Sequence, residues 1–405
     1  MTEIMKPGYK LTEVGVIPEE WDAATIGEIS SFSGGSQPPR STFRFSPSKD
    51  FIRLVQIRDY KTDEYASYIP EVFARKFCTV DDIMIGRYGP PIFQILRGIA
   101  GAYNVALIKA IPNQKVDHEY LFYILKQDSL FQLIESLSRR SSGQTGVELP
   151  ALKAYVVPLP PLTEQHIISQ ALSDVDALIN LQDQLIAKKR DIKQAAMQQL
   201  LTGQKRLPGY YKDWDEKRLG DISQMGSGGT PLSSTPAFFS GNIPWVSIAD
   251  MTKSGKVIAS TDKCLTPLGL ANSAAQMFPA GTVLYAMYAS LGECCIAGIQ
   301  VCTSQAILGI RPTDQLNNEF LYYYLKFIKE KVKSLGQQGT QSNLNKSMVQ
   351  DFCLHLPSYE EQTGIATFLS DMDKELLLLE TRRNKTTLLK QAMMQELLTG
   401  RIRLV

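Results

Sequence analysis

The chain repeats itself once. EYLFYILK at 119–126 answers EFLYYYLK at 319–326, and the stretch from Leu159 to Leu207 aligns without a gap to Leu356–Leu404: LPPLTEQ with LPSYEEQ, LSDVD with LSDMD, KQAAMQQLLTG with KQAMMQELLTG. Weaker echoes extend upstream. Trp21 followed by IGEIS (26–30) matches Trp214 followed by LGDIS (219–223), and Gly34-Gly35-Ser36 matches Gly228-Gly229-Thr230. VQIRD (55–59) pairs with VSIAD (246–250), and IMIGRYG (83–89) with VLYAMYA (283–289). A period of roughly 200 residues present only twice is a duplicated domain, because stacked solenoid repeats run at about 20–50 residues. Two similar units imply two similar sites.

Within each half a mixed front gives way to a helical back. Short apolar runs broken by Gly and Pro, at Phe51 to Ile57, Ile83 to Ile85, Val105 to Ile108 and around Val246 and Val283, are strand signals of an α+β domain. EYLFYILK and EFLYYYLK have helical spacing, and their aromatics belong to a core. The backs begin after Pro160-Pro161 and Pro357, with Thr163 and Ser358 as N-cap candidates, and stop at Gly203 and Gly400. Nearly uninterrupted by Pro or Gly, each predicts one long helix. Ile168, Leu172, Val175 and Ile179 fall at coiled-coil spacing, as do Ile365, Leu369, Met372, Leu376 and Leu379. The pattern resumes at Ile192, Ala196 and Leu200, and at Leu389, Met393 and Leu397, after interruptions by AKKRDIK (187–193) and RRNKTT (382–387). Two such helices in one chain most easily bury their seams against each other, running antiparallel between two pseudo-two-fold-related heads. The expected divisions are a head over 1–158, a helix over 159–207, a head over 208–355 and a helix over 356–405.

Bulk properties exclude little. The 405 residues carry a net charge of +2, so any polyanion site is a local patch. One such patch gathers Arg40, Arg44, Lys49, Arg53, Arg58 and Lys61 against only Asp50 and Asp59; a solvated face is the plainer explanation. The six cysteines have no C-x-x-C spacing and predict buried thiols in a reducing compartment. No run approaches the ~18 apolar residues of a membrane span, and no leader pattern opens the chain. A soluble, cytoplasmic protein without membrane contact is expected.

With its parts in order, the chain resembles the specificity subunit of type I restriction-modification systems. The resemblance is carried by W-x4-[IL]-G-[ED]-I, a GG-[ST] loop, LP-x3-EQ at the helix entry and LLTG at its end, each present twice. The second head adds GGTP (228–231), IPWVSIADM (243–251) and SQAILGI (304–310). The first head departs from that wording, with GGSQPP and RLVQIRDY. The resemblance implies that each head is a target-recognition domain reading one half of a bipartite double-stranded DNA site. It further implies that the helices form a spacer and dock two methyltransferase subunits, with motor-nuclease subunits completing the complex. Departure in the first head puts the base sequence in doubt, not the role.

Motifs of catalysis are missing from the sequence. There is no [DNS]-P-P-[FYW] for an adenine methyltransferase, no G-x4-G-K-[ST] phosphate loop, and the three histidines are isolated. The chain is expected to be non-catalytic and to hold no cofactor, with S-adenosylmethionine, ATP and Mg2+ on partner subunits. The heads offer DNA-reading side chains instead: Arg and Lys suit guanine, Gln and Asn suit adenine, and hydroxyls fix register on phosphates. Candidates in the first head are Arg40, Arg44, Gln56, Arg58, Lys61, Arg87, Tyr88, and Arg139, Arg140 and Gln144 of RRSSGQT (139–145). In the second they are Thr230, Ser247, Tyr288, and Gln337, Gln338, Gln341 and Asn343 of GQQGTQSN (336–343). An ion pair of Arg58 with Asp59 and a plain polar turn at 336–343 stand as alternatives. So do two other functions, a coiled-coil interaction scaffold without a nucleic-acid target and an enzyme with drifted motifs.

Overall fold

A computed structural model describes residues 7–140, 146–288, 290–337 and 343–404. The chain divides into two compact units, residues 1–182 with 382–405, and residues 183–381. That division falls inside both long helices, Leu162–Leu201 and Tyr359–Leu397.

In the first unit an antiparallel sheet runs Ser30–Gly34, Leu107–Pro112, Ile83–Gly86, Gln94–Leu96. A second sheet runs Ser67–Pro70, Phe51–Val55, Gly101–Tyr103, Phe77–Cys78, with Phe51–Val55 and Gly101–Tyr103 parallel. The second unit repeats the plan. Ser223–Ser227, Ile307–Pro312, Val283–Ala286 and Cys294–Ala297 form the corresponding ladder, extended by Val257–Ile258. Phe239–Val246 again pairs in parallel, with Cys302–Thr303. Ile108 faces Ile85 across one ladder, and Leu308 faces Tyr285 across the other. Strand runs starting near Val105 were expected, but pairing begins at Leu107.

EYLFYILK forms the helix His118–Leu125, capped by Asp117, whose carboxylate accepts from the Tyr120 amide at 2.9 Å. EFLYYYLK lies in the longer helix Asn318–Gln337. Tyr120, Phe122, Tyr123, Phe320, Tyr322 and Tyr323 are buried, as expected of core aromatics. Cys78, Cys294, Cys295 and Cys302 are buried free thiols, whose pKa values burial pushes up to between about 11 and about 12. Cys353 is exposed and Cys264 half-buried, contrary to the expectation for all six. Cys353 opens the strand Cys353–Leu356, whose alternate residues face solvent.

Both helix entries are built alike. Ser358 caps the second long helix, its hydroxyl accepting from the Glu361 amide at 3.3 Å. Thr163 does not cap the first, because the helix already begins at Leu162. The EQ pair that follows holds each entry to its head. Gln165 accepts the Asp117 amide and donates to the Pro160 and Lys115 carbonyls; Gln362 accepts the Asn317 amide and donates to those of Pro357 and Gln315. Glu164 accepts from the Trp21 indole at 2.9 Å and pairs with Arg403. Glu361 accepts from the Trp214 indole at 3.2 Å and pairs with Arg206.

Two expected seam positions differ: Ile192 and Leu389 are exposed, while Gln182 in the first unit and Ile186 in the second are buried. In the first unit Gln182 donates to Thr386 and Lys390 pairs with Asp176 at 2.6 Å. In the second, Lys189 pairs with Glu375, Arg190 with Glu380 and Lys193 with Asp373. The order of these pairs shows the helices antiparallel within each unit. Polar seam positions fix register at some cost in stability.

Candidate nucleic-acid interface

The basic stretch of the first head collects along the strand Ser67–Pro70. Phe51–Val55 places Arg53 opposite Tyr68, and Arg44 bridges the same Tyr68 through its backbone. The turn Ile57–Tyr60 then brings round two further side chains. Gln56 donates to the Ser67 hydroxyl at 3.2 Å, and Arg58 donates to that hydroxyl at 3.3 Å and to the Tyr65 carbonyl at 3.1 Å. Half of the Arg58 side chain remains open to solvent. Arg40, Arg44 and Lys61 are exposed, with Arg44 stacked 4.3 Å over the Phe51 ring. Arg53 instead turns to Asp63 at 2.6 Å.

Asp59 and Asp250 occupy matching positions with opposite electrostatics. The Asp250 carboxylate accepts from the Ser247 amide and hydroxyl and from the Asp262 amide. Burial alone would raise its pKa, and these bonds outweigh burial, so it is lowered. Asp59 takes the Gln56 amide on one oxygen, while the other has no hydrogen bond and lies 3.8 Å from Arg58 Nε. Burial therefore wins there over the Gln56 amide and the Arg53 charge, and the pKa is raised. The alternative of an Arg58–Asp59 ion pair is thus present only as a loose contact. Ser247 caps the helix Ile248–Ser254.

A second cluster joins segments far apart in sequence. The Val147 amide donates to the Arg87 carbonyl at 3.1 Å, and Gly146 packs against Tyr88, over whose ring the Arg87 guanidinium lies at 5.3 Å. In the second head the Leu344 amide donates to the Met287 carbonyl at 3.0 Å, setting exposed Asn343 beside the Tyr288 loop. Each head thus brings the segment after its ladder strand to the end of its polar loop. Gln144, Gln338 and Gln341 lie outside the described residues, as do the side chains of Arg139, Arg140 and Gln337. Thr230 is exposed, immediately after the double glycine. A Cβ on Gly35 would stand 1.9 Å from the Asn104 carbonyl oxygen, and one on Gly228 would stand 2.3 Å from that of Ser304. The GG loops are therefore close-packing devices. Among the described residues no group of His, Cys, Asp and Glu could hold a metal ion, and no helix is long and apolar enough to cross a membrane.

Two α+β heads, each with paired polar loops and a helix pair behind, match known proteins throughout. The family model for the type I restriction modification DNA specificity domain matches residues 18–188 and again 211–388. The chain belongs to that family. It is 25% identical to a provisionally assigned type I restriction enzyme MjaX specificity subunit of Methanocaldococcus jannaschii, over 98% of this chain and 96% of the relative. The MjaIX specificity subunit of the same organism is 30% identical, over 44% and 42%. Among solved structures, the type I restriction-modification S subunit from M. genitalium is similar at a TM-score of 0.60 and 16% identity, covering 97% of this chain and 99% of that one. The chain is a specificity subunit with two target-recognition domains, the non-catalytic part of a methyltransferase and restriction complex, and it works with DNA and other subunits.

Proposed function

We propose that each head reads one half of a bipartite double-stranded target, and that the helix pair sets the gap between halves and docks two methyltransferase subunits. The observation that carries this reading is the duplicated pairing of loops, 87–88 with 146–147 and 287–288 with 343–344. Arg40, Arg44, Gln56, Arg58, Lys61, Arg87, Tyr88, Arg139, Arg140 and Gln144 are the proposed readers and phosphate contacts of the first head. Thr230, Ser247, Tyr288, Gln337, Gln338, Gln341 and Asn343 serve the second. Exposed leucines support docking on the helices: Leu178, Leu181, Leu388 and Leu389 in the first unit, Leu185, Leu377 and Leu378 in the second. Apolar side chains at such exposure on a helix already paired mark a surface for a further partner. S-adenosylmethionine, ATP and Mg2+ belong to the methyltransferase and motor-nuclease subunits in this reading.

Methylome sequencing of a host carrying the chain with the methyltransferase subunit of its own system tests the proposal. Two short fixed sequences separated by a constant gap are expected. Methylation of a single continuous site, or none with a folded complex, would overturn it.

A further inference from the structure

In each unit three distant segments converge on one carboxylate. Asp176 on the first long helix accepts from the Tyr123 hydroxyl of the head at 2.9 Å and pairs with Lys390 of the second long helix at 2.6 Å. Asp373 on the second long helix accepts from the Tyr323 hydroxyl at 2.7 Å and pairs with Lys193 of the first. Both lysines also lie against the tyrosine ring, Lys390 at 5.3 Å and Lys193 at 5.8 Å. Each tyrosine is buried, and each lysine is largely covered, at 12% and 21% side-chain exposure. The sequence already held the signal, since both aspartates end the duplicated LSD-x-D.

Apolar contacts between a head and a helix are non-directional and tolerate rotation. A charge-assisted hydrogen bond has a fixed length and direction, so it selects one angle among those the apolar contacts permit. The tie differs between the two units in one respect. Lys256 reaches from the second head to Tyr323, Glu319 and Ser370. In the first head Arg97 pairs with Glu119 and stacks on Phe122, with no bond to a long helix among those described.

We infer that Asp176 and Asp373 are positioning residues for target spacing: by holding the head's tyrosine and the opposite helix's lysine together, each fixes the angle at which its head is carried on the helix pair. They touch no DNA. This inference rests on the proposed bipartite reading and names the residues that make its gap exact. Having no counterpart of the Lys256 bond to Ser370 among the bonds described, the first head is the one whose angle a single substitution loosens most.

Tyr123→Phe removes the head's bond and leaves the Asp176–Lys390 pair between helices. The test compares methylomes of wild type, Tyr123→Phe and Tyr323→Phe in the complete methyltransferase complex, with thermal melts of each. For Tyr123→Phe both half-sequences stay the same, while the share of methylated sites with a gap about one base pair off rises about tenfold, the equivalent of ~1.4 kcal/mol. A smaller rise is expected for Tyr323→Phe, which retains Lys256. A strict gap in both variants overturns the inference, whether or not their melting points fall. A changed half-sequence also overturns it, because the tyrosine would then act on the reading surface. If the wild type itself shows no bipartite site, the proposed function fails instead, so the two failures are separable.

Discussion

The two heads give one carboxylate position two different fates, and pH tells them apart. The folded-state pKa of Asp250 is lowered, so its stabilising effect is full above the unfolded value of about 3.9 and is lost as pH falls through the folded value. Asp59 has the opposite sign. Its folded pKa is raised, so any stability it contributes is present below the unfolded value and lost as pH rises through the folded one. At pH 7 Asp250→Asn should cost about 1.5–3 kcal/mol, the worth of hydrogen bonds to a charged group, and Asp59→Asn should leave stability unchanged or raised. Thermal melts of the full chain between pH 4 and pH 8 check both. Arg87 is the proposed reader whose surroundings are best defined in the first head, held over Tyr88 beside Gly146. Arg87→Ala should relax one position of the first half-site at about 1–3 kcal/mol and leave the second half untouched. Competition binding with single-base variants measures this, and a uniform loss on specific and random duplex would reassign Arg87 to a phosphate.

At the scale of elements, much was legible because the chain contains its own alignment. Paired helices, paired strand runs and the Gly203 and Gly400 stops all recur, and both glycines adopt positive φ. AKKRDIK (187–193) looks like an interruption when each helix is viewed alone. The counter-charges of Lys189, Arg190 and Lys193 lie on the other helix, so only the pair shows them as contacts. Glu164 and Glu361 were visible as part of a repeated motif, but their partners Arg403 and Arg206 follow the ends of the opposite helices. Spacing along the chain carries no information on such contacts. Burying a carboxylate without its cation leaves an uncompensated charge. Arg206→Ala, stripping the two-bond partner of a nearly covered Glu361, is therefore expected to destabilise the second unit by about 3 kcal/mol and to leave the first unit's protection unchanged. Arg403→Ala should do the converse, with hydrogen exchange followed separately in the two sets of residues. The exposed leucines predict the contrary behaviour: Leu181→Asp with Leu378→Asp keeps the melting point and abolishes co-purification of the methyltransferase subunit.

For the whole molecule, the antiparallel ion pairs change how the gap between half-sites can be altered. In both units side chains of one long helix are matched to named partners on the other, Asp176 with Lys390, Lys193 with Asp373, Lys189 with Glu375. Lengthening one helix alone would slide these partners past each other. An insertion must therefore be made in both helices at once, where the compact units divide, after Gln182 and after Thr381. Four helical residues in each add about 6 Å and roughly one turn, against about 3.4 Å per base pair along a strand. The gap should then lengthen by one or two base pairs with both half-sequences unchanged, as read from the methylome. A single-helix insertion serves as the control and should lower stability without producing a new defined gap. If the paired insertion leaves the gap untouched in an active complex, the helices do not set it, and the spacing role proposed for Asp176 and Asp373 falls with them.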